Sequence, residues 1–201
     1  MMLPTHALVG LALAAPLALY APELAPAALL GALVGGILPD LDMYAGHRKS
    51  LHYPTFYPLA AVPAIAAAFV WTTPVSLAVA FGLLAAAAHC RMDIYGGGLE
   101  LRPWEGTSEK AVYDHASGRW LSPRRFIAYD GSRGDLALSL VVGLPLLAVL
   151  EGAFVPVVGV ALTIATSYVL LRKHLANLAP TVFSQVPEPL AEYVPERYLH
   201  E

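Results

Sequence analysis

The residues in this chain best suited to chemistry are histidines and aspartates, and they cluster at the ends of apolar stretches. His6 opens the first stretch and Pro39-Asp40-Leu41-Asp42 closes the second. Gly46-His47-Arg48 and Leu51-His52-Tyr53 lead into the third, and His89 and Asp93 close the fourth. His89 and Asp93 are four positions apart, so on a helix they share one face. Imidazole nitrogen and carboxylate oxygen together suit a divalent metal ion, zinc first, with manganese or iron as alternatives. Such a set can hold one ion and its supporting hydrogen bonds. It can also hold two ions bridged by a carboxylate, the arrangement used for in-line displacement at phosphorus. The planar guanidinium of Arg48 matches the oxygens of a phosphate.

Taken singly, each residue has an ordinary explanation. His6 suits an interfacial helix start, Asp40 and Asp42 suit helix caps, and His89 with Asp93 suits an ion pair in a packed bundle. Taken jointly they favour a site, because ionisable side chains at membrane depth are costly and tend to be functional. Asp40, His89 and Asp93 lead as metal ligands, followed by His6 and His47. Asp42 or His52 is a further ligand or the general base, and Arg48 is the anion clamp. The His115/Asp114 pair reads as an exposed hairpin, Cys90 as a small packed residue, and His174 as a helix end at the membrane surface. Gly96-Gly97-Gly98 lacks the strand and helix context of a phosphate loop. His200 in the tail carries no role.

The elements that must position these residues are apolar. Hydrophobic residues make up 57% of the chain and charged residues 13%, with a mean hydropathy of +0.59. A soluble domain carries roughly a quarter charged residues, so a bilayer is the simpler solvent. The net charge of −3 argues against nucleic-acid partners, which need a basic field. One cysteine excludes an intrachain disulfide and a cysteine-rich metal site. The N-terminal stretch lacks a basic leader and a cleavage site, and reads as a retained first helix.

Six apolar segments follow one another at about 7–20, 24–38, 56–71, 75–88, 136–150 and 154–171. Short turns join them in pairs, so the expected fold is an all-α integral membrane protein of about six transmembrane helices in three hairpins. Several segments fall short of the ~20 residues that cross a ~30 Å core, and the first two also fit a re-entrant pair. With six crossings, all 12 Lys and Arg lie on the side that holds the N-terminus. The positive-inside rule then predicts a multi-pass protein of the cytoplasmic membrane with both termini in the cytoplasm. Residues 1–93 form a four-helix membrane bundle with the His/Asp site, and 94–134 a cytoplasmic loop. Residues 135–171 form a helical hairpin, and 172–201 a tail. Within the loop, residues 111–121 predict a small β-hairpin around Ser117-Gly118.

On Thr5-His6, Pro39-Asp40-Leu41-Asp42, His47-Arg48, His52, and His89 with Asp93 followed by glycine, the chain resembles the YdjM-like family. These are inner-membrane, metal-dependent hydrolases, and the likeness covers about residues 5 to 98. It implies a helical membrane fold, a divalent metal and a hydrolytic reaction on phospholipids. The chain departs from the family's pattern at Met43, where a histidine is common, and at Leu51 and Tyr53, which flank His52 in place of Thr and Ser. No H-E-x-x-H is present, nor are the motifs of prenyl-protein proteases or lipid-phosphate phosphatases.

The expected function is therefore a metal-dependent hydrolase acting on a phosphoester or lipid head group at the cytoplasmic leaflet, with membrane lipid as its surroundings and substrate source. A transporter or metal permease needs polar groups open to both faces, and the opposite turns offer only Glu23 and Glu151. A non-catalytic scaffold whose 94–134 loop binds a partner is the third reading.

Overall fold

The structure is a computed structural model and describes residues 1–191, 193–195 and 198; Arg197 and His200 of the tail lie outside the described residues. It is mostly helical. Helix α1 (Leu3–Ala14) carries Pro4 in its first turn, where a missing N–H costs nothing. The chain breaks at Ala15, ahead of Pro16, and α2 (Pro16–Tyr20) carries it on. Helix α3 (Ala25–Ile37) returns and tightens at Pro39 into a 3₁₀ turn (Leu38–Tyr44). Helices α4 (Phe56–Val70) and α5 (Pro74–Tyr95) form the next hairpin. A reciprocal cap starts α5: Ser76 N–H donates to Thr73 Oγ1 (3.1 Å) and Thr73 N–H donates to Ser76 Oγ (3.0 Å). A 3₁₀ turn (Pro103–Glu105) and an antiparallel pair, β1 (Val112–Asp114) and β2 (Arg119–Leu121), follow. Helices α6 (Arg133–Val149) and α7 (Phe154–Phe183) and a short α8 (Glu188–Ala191) complete the chain.

Among the described residues, four helical stretches are long and apolar enough to cross a membrane: Leu3–Tyr20, Ala25–Tyr44, Pro74–Tyr95 and Phe154–Phe183. Helix α4, with 15 residues, is apolar but shorter, and α6 has 17. At 1.5 Å per residue these two span only about 22–26 Å. Helices α1, α5 and α7 all run further into the polar ends than the apolar segments suggest. Their terminal polar side chains find partners there, so the helix need not stop where hydrophobicity does. Residues 172–183, placed in the tail from sequence, continue α7.

The core is built from small residues with a few leucines: Leu8, Leu11, Ala14, Ala28 and Ala32 are wholly buried. The large apolar side chains point outward, Tyr20 85% exposed, Phe69 83% and Val75 72%. That inversion suits lipid, which solvates leucine as well as a core does, while small residues let backbones close up. The tightest approach is between α3 and α5. A Cβ added at Gly35 would collide with the carbonyl of Gly82, and one at Gly31 with the carbonyl of Ala78. Helices α6 and α7 join the bundle through α1, where Gly143 lies against Leu162 and Leu8.

The β-hairpin lies across the loop between α3 and α4. Tyr113 N–H donates to Arg48 O (2.9 Å), His115 Nε2 donates to Lys49 O (2.7 Å), and Thr55 Oγ1 donates to Asp114 Oδ1 (2.8 Å). Hydrogen bonds from Ser117 (2.6 Å), Thr55 and the Ala116 amide outweigh partial desolvation and hold the Asp114 carboxyl below its ordinary range.

Because α3 and α5 touch through glycine, Gly35→Val should force them apart. Thermal unfolding of the purified protein in detergent should show a loss of about 1–3 kcal/mol, the usual cost of overpacking. An unchanged melting temperature would mean the helices are free to separate.

Candidate metal centre

The N-terminal end of α1 and the C-terminal ends of α3 and α5 meet at one end of the bundle, and the histidines and aspartates meet with them. One ligand atom from each of Asp40, His52, His89 and Asp93 lies within 4.8 Å of the other three. Among the described residues no other group of three or more His, Cys, Asp or Glu side chains comes together in this way. His52, His89 and Asp93 are sealed from solvent; the Asp40 side chain, 11% exposed, is the group's outer edge.

Each imidazole is oriented by its far nitrogen. His89 Nδ1–H donates to Gly36 O (2.8 Å), and His52 Nδ1–H donates to Asp42 Oδ2 (2.9 Å). Both rings therefore turn Nε2 onto the same two carboxylates. His52 Nε2 stands 3.2 Å from Asp93 Oδ2 and 3.8 Å from Asp40 Oδ1. His89 Nε2 stands 3.4 Å and 3.5 Å from the same two atoms and has no hydrogen-bond partner, although it is buried. A nitrogen lone pair facing a carboxylate is repulsive unless a cation lies between them, a proton or a metal ion. Ligand atoms arranged tetrahedrally around an ion at about 2.0–2.1 Å stand roughly 3.3–3.4 Å apart. The four separations bracket that edge. The donor set fits a divalent ion, and Asp42 behind His52 supplies the carboxylate–histidine support such sites use.

Local sequence explains how these groups arrive. Three residues per turn in the 3₁₀ segment set Asp40 and Asp42 on different sides, so the two carboxylates bracket the His52 ring. Asp42 is buried and gathers the loop around itself. Its oxygens accept the amides of Arg48 (3.2 Å), Lys49 (3.2 Å) and Leu51 (3.1 Å) as well as His47 Nδ1 (3.1 Å) and His52. Gly46 at φ +86° and Arg48 at φ +59° turn the backbone so that these amides converge. The left-handed conformation of Arg48 is costly for a side-chain-bearing residue, and the carboxylate holds it in place.

Asp93 divides its oxygens. Oδ2 faces the two imidazoles, while Oδ1 accepts from the Met1 amino group (2.6 Å) and lies 3.1 Å from His6 Nε2 and 3.3 Å from Arg48 Nη2. The guanidinium of Arg48 also donates to Gly97 O (2.8 Å), and its Nε is buried without a hydrogen-bond partner. Burial opposes its charge, but Asp93, Asp130, Asp40 and Glu100 outweigh that and raise its pKa further. His52, likewise opposed by burial, has its pKa raised by the hydrogen bonds to Asp42 and Asp93. Both results describe a pocket with negative charge to spare.

All eight residues singled out in the sequence lie at this end of the bundle, in different places. Asp40, His89, Asp93 and His52 form the group. His6 borders it, its ring stacked on His89 with centroids 3.6 Å apart, and its Nδ1 is buried without a hydrogen-bond partner. His47, expected as a ligand, sits on the other oxygen of Asp42, with its ring 6.0 Å from that of His52. Asp42, weighed as a base, is committed to its five hydrogen bonds. Met43 is exposed on the 3₁₀ turn. A second buried network escaped the sequence reading: Asp135 accepts from Met2 N–H (2.8 Å), Gly131 N–H (3.1 Å) and Thr5 Oγ1 (2.6 Å), and Thr5 meets Ser139 at 2.8 Å. It pins the first turn of α1, and so His6, to α6. An aspartate at the mouth of an apolar segment, three residues after Ser132, is the signal that could have found it.

These helices and this group define a class, a helical protein fit for a membrane with a buried His/Asp group able to hold a metal ion. No family model, curated protein or solved structure matches the chain.

Asp42 is not one of the four group members, so removing it keeps every candidate donor while freeing His52 to rotate. Asp42→Ala should weaken metal binding by about 10–100-fold, as loss of such a support typically does. Competition with a chelating dye measures this, and unchanged affinity would show that His52 needs no support.

Proposed function

We propose that this protein is a metal-dependent hydrolase of the cytoplasmic membrane that cleaves a phosphoester, the head group of a membrane lipid, at the inner leaflet. The observation that carries this reading is the pair of Nε2 atoms turned onto the same two carboxylates, Asp40 Oδ1 and Asp93 Oδ2, at spacings that suit a shared ion. The group would hold zinc, or manganese or iron, through Asp40, His52, His89 and Asp93, with His6 alongside. A bound ion supplies Lewis acidity and lowers the pKa of a water to near neutrality.

The chain's own residues do the rest. Asp42 fixes the His52 ring and the backbone of Arg48 at once. Arg48 sits beside Asp93 with its Nε buried and unpartnered, and would offer it to an anionic oxygen of the substrate. Burial of His52, His89 and Asp93 keeps bulk water out and leaves Asp40 as the approach. Leu41 and Tyr44, 63% and 66% exposed on the same 3₁₀ turn, give that approach an apolar flank suited to a lipid arriving sideways. The likeness to the YdjM-like family points to the same metal and reaction. With six crossings, the positive-inside rule would put the basic loops, and this end of the bundle, in the cytoplasm.

Metal analysis of the purified full-length protein tests the reading. Stoichiometric zinc, manganese or iron is expected, falling at least tenfold in Asp40→Ala and His89→Ala. Loaded protein should hydrolyse a chromogenic phosphoester, and Arg48→Gln should lower kcat/KM about 100-fold while keeping the metal. A protein that takes up no metal under any loading condition would sink the proposal.

Cysteine labelling in intact cells tests the orientation separately. Cys90 is wholly buried and should stay silent. Glu23→Cys and Glu151→Cys should react with an impermeant reagent from outside, and Lys110→Cys only after lysis. Labelling of Lys110→Cys in intact cells would reverse the assignment.

A further inference from the structure

Away from the His/Asp group, a cavity of about 660 Å³ opens between the start of α6 and the C-terminal half of α7. Arg133, Arg172, Lys173 and His174 line it, and no carboxylate does among the described residues. Arg172 is buried and anchored, its Nε on Asp130 Oδ2 (3.2 Å) and its Nη2 on Leu101 O (3.1 Å), so one of these cations is built into the fold. Arg133, Lys173 and His174 are exposed. The cavity has a second character: Phe126 and Leu170, 84% and 73% exposed, line the same opening. Its height in the bundle also matters. Arg172 lies 18 residues beyond Phe154, about 27 Å along α7. That is close to the full thickness of a hydrocarbon core, where head groups begin.

We propose that this cavity is a binding site for the phosphate of an anionic phospholipid, separate from the metal centre and independent of whether that centre is catalytic. Basic residues clustered between membrane-spanning helices at a polar face recognise anionic head groups. The apolar lip receives the upper part of an acyl chain, which a free phosphate lacks. Exposed Leu170 and Phe126 are therefore part of the recognition.

Native mass spectrometry of the full-length protein in a neutral detergent, titrated with phosphatidylglycerol or phosphatidylcholine of matched chains, reads this directly. Phosphatidylglycerol should bind at least tenfold better. Arg133→Gln with Lys173→Gln should cost about fivefold for each charge, roughly 25-fold together. Leu170→Glu, which leaves every basic residue in place and adds a negative charge at the lip, should give a comparable loss. Arg119→Gln with Arg124→Gln removes the same charge from the loop and should leave the preference intact. Three results would overturn the proposal: equal binding of the two lipids, equal loss in the loop variant, or displacement of phosphatidylglycerol by equimolar inorganic phosphate, which marks a site for free anions.

Discussion

A carboxylate buried at the end of a membrane bundle must find positive charge or lose its own, because little water is there to solvate it. Asp93 meets this demand on both oxygens, Arg48 and an amino group on one side and two imidazoles on the other. Asp42 meets it with backbone amides gathered from a single loop. Asp40, with the fewest such partners, leans toward the imidazoles and the outside. The architecture around the site reads as the set of elements needed to satisfy three acids at once.

That demand explains why the packing beneath is so close. His89 can donate to Gly36 because α3 and α5 approach through Gly31 and Gly35, where any side chain would hold them apart. Position 36 faces a related limit, since a Cβ there would press on the carbonyl of His6. Small residues thus bring a carbonyl to an imidazole and an imidazole to a second imidazole. The geometry of the His/Asp group at the end of the bundle is inherited from backbone spacing along its length.

Much of this was legible in the sequence, for identifiable reasons. Long apolar runs mark helices because a backbone crossing lipid must satisfy its own hydrogen bonds, and within a single segment only a helix does so. The four-residue spacing of His89 and Asp93 marks a shared face. Clustering of acids and imidazoles at one set of segment ends marks a meeting point. Less legible was which member stands where. His47 and His52 are chemically equal in the sequence, and only the fold of the loop around Asp42 sends one inward and the other to the rim. The limits of α5 and α7 were hidden because polar residues that look like loop are helical when their partners lie across the bundle. The Thr5–Asp135–Ser139 network was half hidden: the Ser132–Asp135 spacing marks a helix start, but its partner Thr5 lies 130 residues away along the chain.

The β-hairpin carries a consequence for how divisible the chain is. Every member of the His/Asp group comes from the first half, yet Arg48 and the start of α4 are tied down by backbone and side chains of residues 113–115. A truncated or transplanted bundle ending near residue 98 would keep the full complement of donors while losing the strap that disciplines the loop between them. The second half of the chain is thus no appendage: it braces a group whose four members all come from the first.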